Sequence, residues 1–111
     1  MRTFTKVFAG LSGTTEATAM DLKVQEHGRQ TWEFYADNTS ANIRIRLKSV
    51  FSDDNGVELA TPTIQTIDLT NEVLTIVNFD MKLEHVRCTY DDDATGAMAG
   101  DLHIKCTTAK G

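Results

Sequence analysis

The sequence predicts an all-β fold: an antiparallel, jelly-roll-like β-sandwich of about seven or eight short strands, forming one domain over residues 1–111. Three observations predict it. Sixteen residues are threonine and only four are serine, and threonine, being β-branched, suits a pleated surface while losing side-chain freedom in a helix. Several segments alternate apolar and polar side chains with a period of two, the mark of a half-buried strand. Clusters of Gly, Asp and Asn punctuate those segments at short spacing, as in sandwiches and barrels whose strands bury one face each.

Taken in order, MRTFTKVFA at residues 1–9 forms a first strand, ended by the Gly10-Leu11-Ser12-Gly13 cluster. Met20, Leu22 and Val24 alternate with Asp21 and Lys23, giving a second. After a turn at His27-Gly28, Trp32, Phe34 and Ala36 alternate with Thr31, Glu33 and Tyr35, which places the single tryptophan on an inward face. Ile43, Ile45 and Leu47 alternate with Asn42, Arg44, Arg46 and Lys48, the clearest period of two in the chain. A turn at Asp53-Asp54-Asn55-Gly56 follows. Residues 64–69 and 73–79 are short apolar stretches whose Val, Ile and Thr content favours strand over a helical turn at 71–77. Val86, Cys88 and Tyr90 then alternate with Arg87 and Thr89, and Leu102, Ile104 and Cys106 with His103, Lys105 and Thr107. The acidic, glycine-bearing stretch from Asp91 to Gly100 reads as a hairpin loop joining these last two strands.

Composition narrows the function. With 41% hydrophobic residues and a net charge of −5, the chain can bury enough apolar surface to offset its ordering entropy, so it is not a disordered segment. No apolar run approaches the ~18 residues of a membrane span, and the N-terminus lacks a signal peptide's charged-then-apolar layout. The expectation is a chain made and kept in a cytoplasm, without a membrane partner. Excess acid repels phosphate, and no concentrated basic patch overcomes that field, which argues against a nucleic-acid partner.

Chemistry-bearing residues are sparse. Asp91-Asp92-Asp93 and the Asp53 to Gly56 turn carry the oxygens calcium would need, but Asp, Asn and Gly are also the residues turns favour, and neither stretch has an EF-hand's ligand pattern. Cys88 and Cys106 fall on the inward face of the expected terminal hairpin, where a disulfide is conceivable and two buried thiols are the simpler expectation. His27, His85 and His103 lie in separate elements, without zinc-ligand spacing. Asn38-Thr39-Ser40 matches the glycosylation triplet and reads as a turn. No nucleophile stands beside a base, and no phosphate loop, paired-carboxylate or metal motif is present, so the expectation is a non-enzymatic protein with no cofactor and no metal site. Arg44, Arg46 and Lys48 form a basic stripe that either keeps a sheet face soluble or meets an acidic partner protein. Phe4 and Phe8 share their parity with Arg2 and Lys6, a mixture that suits an edge strand or an inter-subunit contact. Phe4, Phe8, Arg44, Arg46 and Lys48 are therefore the candidate partner-binding residues.

The layout resembles the small β-sandwich virion proteins of tailed bacteriophages. An early strand leads to ATAMDLKV, then to TWEFYAD and NIRIRLKSV, a DDNG turn, Val77-Asn78-Phe79, LEHVRCTY, an acidic glycine loop and GDLHIKCTTAKG. Phe79, Val86, Arg87, Tyr90, Gly100, Leu102, Ile104 and Lys110 carry the match, within a final strand pair of the form V-R-x-x-Y and G-x-L-x-I. No tryptophan follows Ser52-Asp53-Asp54-Asn55-Gly56, a departure from that pattern. The resemblance implies a head decoration or cement protein, or a small tail or neck component. Such a protein is assembled in the host cytoplasm, located on the virion and bound to the major capsid or other virion proteins, as a homo-oligomer or through lattice contacts. A carbohydrate-binding module is the competing class; it calls for exposed aromatic platforms, for which Tyr35 is the best candidate.

Overall fold

The structure, a computed structural model, describes residues 2–23, 29–37, 41–79 and 84–109. Val24, the His27-Gly28 turn, the Asn38-Thr39-Ser40 triplet and Lys110 lie outside the described residues. Ten strands follow in order: β1 (Arg2–Phe8), β2 (Ala17–Lys23), β3 (Arg29–Asp37), β4 (Ile43–Ser49), β5 (Phe51–Ser52), β6 (Glu58–Ala60), β7 (Thr63–Asp68), β8 (Thr75–Phe79), β9 (His85–Asp92) and β10 (Asp101–Ala109). Eight of them form two four-stranded antiparallel sheets, β1-β10-β3-β8 and β2-β9-β4-β7. The two extra strands, β5 and β6, are a small hairpin grown from the DDNG turn. There Asp53 Oδ1 accepts from the amides of Asn55 and Val57, both at 2.9 Å, and Gly56 takes a positive φ of 80°, a conformation glycine adopts without steric cost.

With the small hairpin set aside, the strand order is that of a jelly roll, in which the chain passes back and forth between two facing sheets. Alternation decides which side chains enter the space between them. Trp32, Phe34, Ile43, Ile45, Leu47 and Leu102, all expected inward, are fully buried there. Trp32 stacks on Phe34 with ring centroids 6.1 Å apart, and its Nε1–H donates to Gln30 Oε1 at 3.0 Å. Residues 75–79 are strand, with only a turn before them.

The expected terminal hairpin is the main correction. β9 pairs with β2 and β4 in one sheet, whereas β10 pairs with β1 and β3 in the other. The segment between them crosses the end of the sandwich instead of reversing within one sheet. It is pinned by backbone bonds from Asp93 N to Asn42 O (3.1 Å), Met98 N to Gly13 O (2.9 Å), Ala99 N to Ala41 O (3.1 Å) and Leu11 N to Gly100 O (2.8 Å). Asn42 holds a positive φ of 46°, which asparagine tolerates better than most residues, and its Nδ2 donates to Ala97 O at 3.2 Å. Met98 closes the core end, at 4% exposure. Cys88 and Cys106 are consequently not neighbours in a hairpin. They enter the core from opposite sheets as buried free thiols. Burial pushes the Cys106 thiol up to about 12 and raises Cys88 further, so neither is a nucleophile at neutral pH. His85 and His103 likewise belong to different sheets.

Candidate functional site

The outer faces of the two sheets differ in kind. On β2-β9-β4-β7 the outward side chains form a web of ion pairs. Arg44 Nε donates to Asp68 Oδ1 at 2.7 Å, Arg46 Nη1 to Asp91 Oδ2 at 3.1 Å, and Lys48 Nζ to Glu16 Oε2 at 3.1 Å. The same Glu16 oxygen accepts the Thr89 hydroxyl at 2.8 Å. Arg87 donates to both carboxylate oxygens of Glu58, at 2.9 and 2.7 Å, and to Asp21 Oδ2 at 3.2 Å, while His85 Nε2 also meets Asp21. Arg87 thus ties the β5–β6 hairpin to β2 and β9. The basic stripe of Arg44, Arg46 and Lys48 is where the sequence places it, but its charge is neutralised by acids from β7, β9 and the segment before β2.

These partners set the carboxyl groups. Glu16 lies below its usual range chiefly because the Thr89 hydroxyl donates to it, with Lys48 and Arg46 adding to the effect against the opposing influence of burial. Burial alone would raise Asp21 and Asp91, yet hydrogen bonds and cations outweigh it, from His85 and Arg87 in the first case and chiefly from Arg46 in the second, and both are lowered. Glu58 is lowered by Arg87, and Asp93 by the Thr95 hydroxyl and amide. A carboxyl depressed in the folded state stabilises the fold fully above its unfolded value, about 4, and loses that contribution as pH falls through the folded one. The urea midpoint is therefore expected to stay level from about pH 7 to 5 and to drop below about pH 4. Glu16→Gln should flatten part of that drop. A midpoint equal at pH 5 and pH 3 would contradict the assignment.

The outer face of β1-β10-β3-β8 is different. The register lines up Val7, His103 and Tyr35 across β1, β10 and β3. In the adjacent row Thr5, Lys105, Glu33 and Ile76 lie side by side. Leu74, just before β8, joins Val7, Tyr35 and His103 around a shallow depression of about 260 Å³. Tyr35 and His103 pack with ring centroids 6.0 Å apart. Val7, Leu74 and Ile76 are 57%, 52% and 53% exposed, with Val73 nearby in sequence at 48%. A second apolar group, Phe51, Val57 and Leu59, stands exposed on the β5–β6 hairpin and its turn.

Phe4 and Phe8 lie in an edge strand, half-buried and packed against the core, with Phe8 against Tyr90 at a centroid distance of 4.9 Å. Arg2 and Lys6 share their parity but remain exposed, and the Arg2 guanidinium lies 5.2 Å from the centre of the Phe4 ring. Phe4 also borders a cleft of about 550 Å³ between β1 and β2, with Ala19, Met20 and Leu22 opposite. The sequence reading does not single out Val7, Phe51, Val57, Leu59, Leu74 or Ile76 as surface features. The available signal was VLTIVNF, which is apolar at both parities although a strand with one buried face needs only one.

Among the described residues no group of three or more His, Cys, Asp or Glu is placed to hold a metal ion. Asp53 binds the amides of its own turn, and Asp91 and Asp93 are engaged by Arg46 and Thr95. No described helix is long and apolar enough to cross a membrane.

No protein-family profile and no curated protein matches the chain. Solved structures do match its fold. A protein of Bacillus endospore appendages, described as a novel family of disulfide-linked pili, aligns with a TM-score of 0.59 at 10% identity, over 99% of this chain and 87% of that one. The SPBc2 prophage-derived protein YomS aligns with a TM-score of 0.57 at 18% identity, over 97% of this chain and 95% of that one. A protein of the T13 particle of infectious bursal disease virus aligns with a TM-score of 0.53 at 9% identity, over 99% of this chain but 31% of that one. At these identities the likeness is one of fold.

Proposed function

We propose that this chain is a non-enzymatic structural subunit of a bacteriophage virion, specifically a decoration or cement protein that stabilises the capsid by binding its neighbours. The observation that carries the reading is the placement of exposed apolar side chains. They gather into two patches, on the β1-β10-β3-β8 face and on the β5–β6 hairpin, while the charged residues of the other face satisfy one another. Contiguous exposed apolar groups mark surfaces that other proteins cover. The fold likeness to a prophage-derived protein and to a protein of an icosahedral viral particle supports the same reading.

In this proposal the apolar patches, with Phe4 at the cleft and Phe8 farther along the same strand, supply buried contact area. Arg44, Arg46 and Lys48 serve as rim contacts, where charges govern encounter and orientation more than affinity. The partners are the major capsid protein or other virion proteins together with further copies of the chain, and the site of action is the virion after assembly in the host cytoplasm. Gold-labelled antibody against the chain, applied to purified particles from its source and viewed by electron microscopy, tests this. Label on heads is the expected result. Label confined to tails or necks would replace decoration with a tail component, and particles free of both label and chain by mass spectrometry would overturn the virion assignment.

A further inference from the structure

Among the described residues, four strand edges are left without a neighbour: β1 and β8 in one sheet, β2 and β7 in the other. An unpaired edge is a template for another strand, and proteins blunt such edges with bulges, prolines or charges turned inward. Three of the four are blunted. β1 carries Arg2 and Lys6 on the parity that faces the core. β2 is bulged between Thr18 and Met20, with Ala19 unpaired. β7 begins just after Pro62 and is bulged opposite Leu47 and Lys48, with Ile64 unpaired. β8 has none of these devices. Its register with β3 runs unbroken from Phe79 opposite Gln30 to Thr75 opposite Phe34. The stretch Val73-Leu74-Thr75-Ile76-Val77-Asn78-Phe79 holds no charge, proline or glycine. It is also where exposed Val73, Leu74 and Ile76 are concentrated.

We propose that β8 is the edge through which two copies of this chain pair, antiparallel about a two-fold axis, joining their β1-β10-β3-β8 sheets into one continuous sheet of eight strands. The pairing deepens the structural-subunit reading and rests on it for its purpose. A second copy fits because the edge is self-complementary. With the axis on Val77, Thr75 lies opposite Phe79 and Ile76 opposite Asn78, so half-buried core-side residues meet core-side residues and exposed ones meet exposed ones. An uncharged strand brings no like charges together across the axis. A β1–β1 contact, by contrast, would gather Arg2 and Lys6 of both copies, and opposed like charges destabilise strand pairs. A five-residue edge contact falls short of the roughly 800 Å² per partner of a standard stable interface. The dimer is thus expected to be weak in free solution and to be consolidated where a particle concentrates the copies.

Sedimentation velocity over a wide concentration range tests the pairing on the isolated chain. The wild type is expected to shift from monomer to dimer at high concentration and to stop there. Ile76→Lys changes an exposed, outward side chain and sets two cations beside the axis, so it should remain monomeric at a concentration at least about tenfold higher. Thr5→Lys, on the opposite edge of the same sheet, should dimerise as the wild type does. Circular dichroism confirms folding of each variant, and Asn78→Lys, also outward and exposed, substitutes if Ile76→Lys fails to fold. Three results would overturn the proposal: a wild type monomeric throughout, a dimer indifferent to the β8 variants or abolished by Thr5→Lys, or growth past the dimer into open polymers. None of these bears on whether particles carry the chain, so labelling of particles stands or falls separately.

Discussion

Trp32→Ala is expected to lower the stability of the fold by about 3–5 kcal/mol, the cost of emptying a large aromatic site in a packed core. Trp32 is fully buried in β3, between neighbours β10 and β8. The substitution removes its stacking on Phe34 and leaves Gln30 Oε1, itself in a 1% exposed residue, without the indole donor. Against a total stability of about 5–15 kcal/mol for a domain, that loss is enough to leave the variant largely unfolded at warm temperatures. Urea denaturation followed by far-ultraviolet circular dichroism checks it without needing the lost fluorophore. Trp32→Phe separates the contributions: it keeps most of the packing and should cost about 1–3 kcal/mol, largely for the orphaned Gln30 oxygen. An alanine variant with an unchanged midpoint would contradict the burial of this side chain.

The second large effect is a contrast between adjacent residues of β4. Ile45→Ala should cost about 2–5 kcal/mol, because the side chain is fully enclosed and the surrounding sheets can collapse only partly into the gap. Arg46→Ala, one position along, should cost no more than about 1 kcal/mol, the range of partly exposed ion pairs. Its pairs with Glu16 and Asp91 are made by a side chain 25% exposed. Adding salt should shrink the Arg46 effect and leave the Ile45 effect intact, since screening acts on surface charges and not on cavities. Equal costs at the two positions would show that the outer ion-pair web is part of what holds the sandwich together.

The inner faces of the strands were legible in the sequence because a period of two is a local property. Ile43, Ile45 and Leu47 announce their burial within seven residues, as do Trp32, Phe34 and Ala36. Which strand lies beside which is not local. Asp91 to Gly100 has the composition of a reversal, and the chain does reverse there, but nothing in those ten residues says that it lands in the other sheet; that is decided by the bonds to Gly13, Ala41 and Asn42 far away in sequence. The basic stripe was visible for the same reason as the core, whereas its neutralisation was not. Glu16, Asp68 and Asp91 come from 24 to 45 positions away. The odd mixture of Phe4, Lys6 and Phe8 is resolved by topology: an edge strand can turn alternate aromatic rings under the sandwich and still let a lysine of the same parity reach water.

The place of β10, seated between β1 and β3, has a consequence for synthesis. Residues 2–8 leave the ribosome about a hundred residues before the strand they pair with, and β3 waits about seventy for its central neighbour. One of the two sheets therefore cannot be completed until residues 101–109 have been made. The emerging chain must keep TWEFYAD and VLTIVNF from wrong pairings until residues 101–109 arrive, and such long-range closure makes folding slow and leaves apolar strands open to aggregation in the interval. The pace of that closing step would govern how much of the chain reaches the folded state.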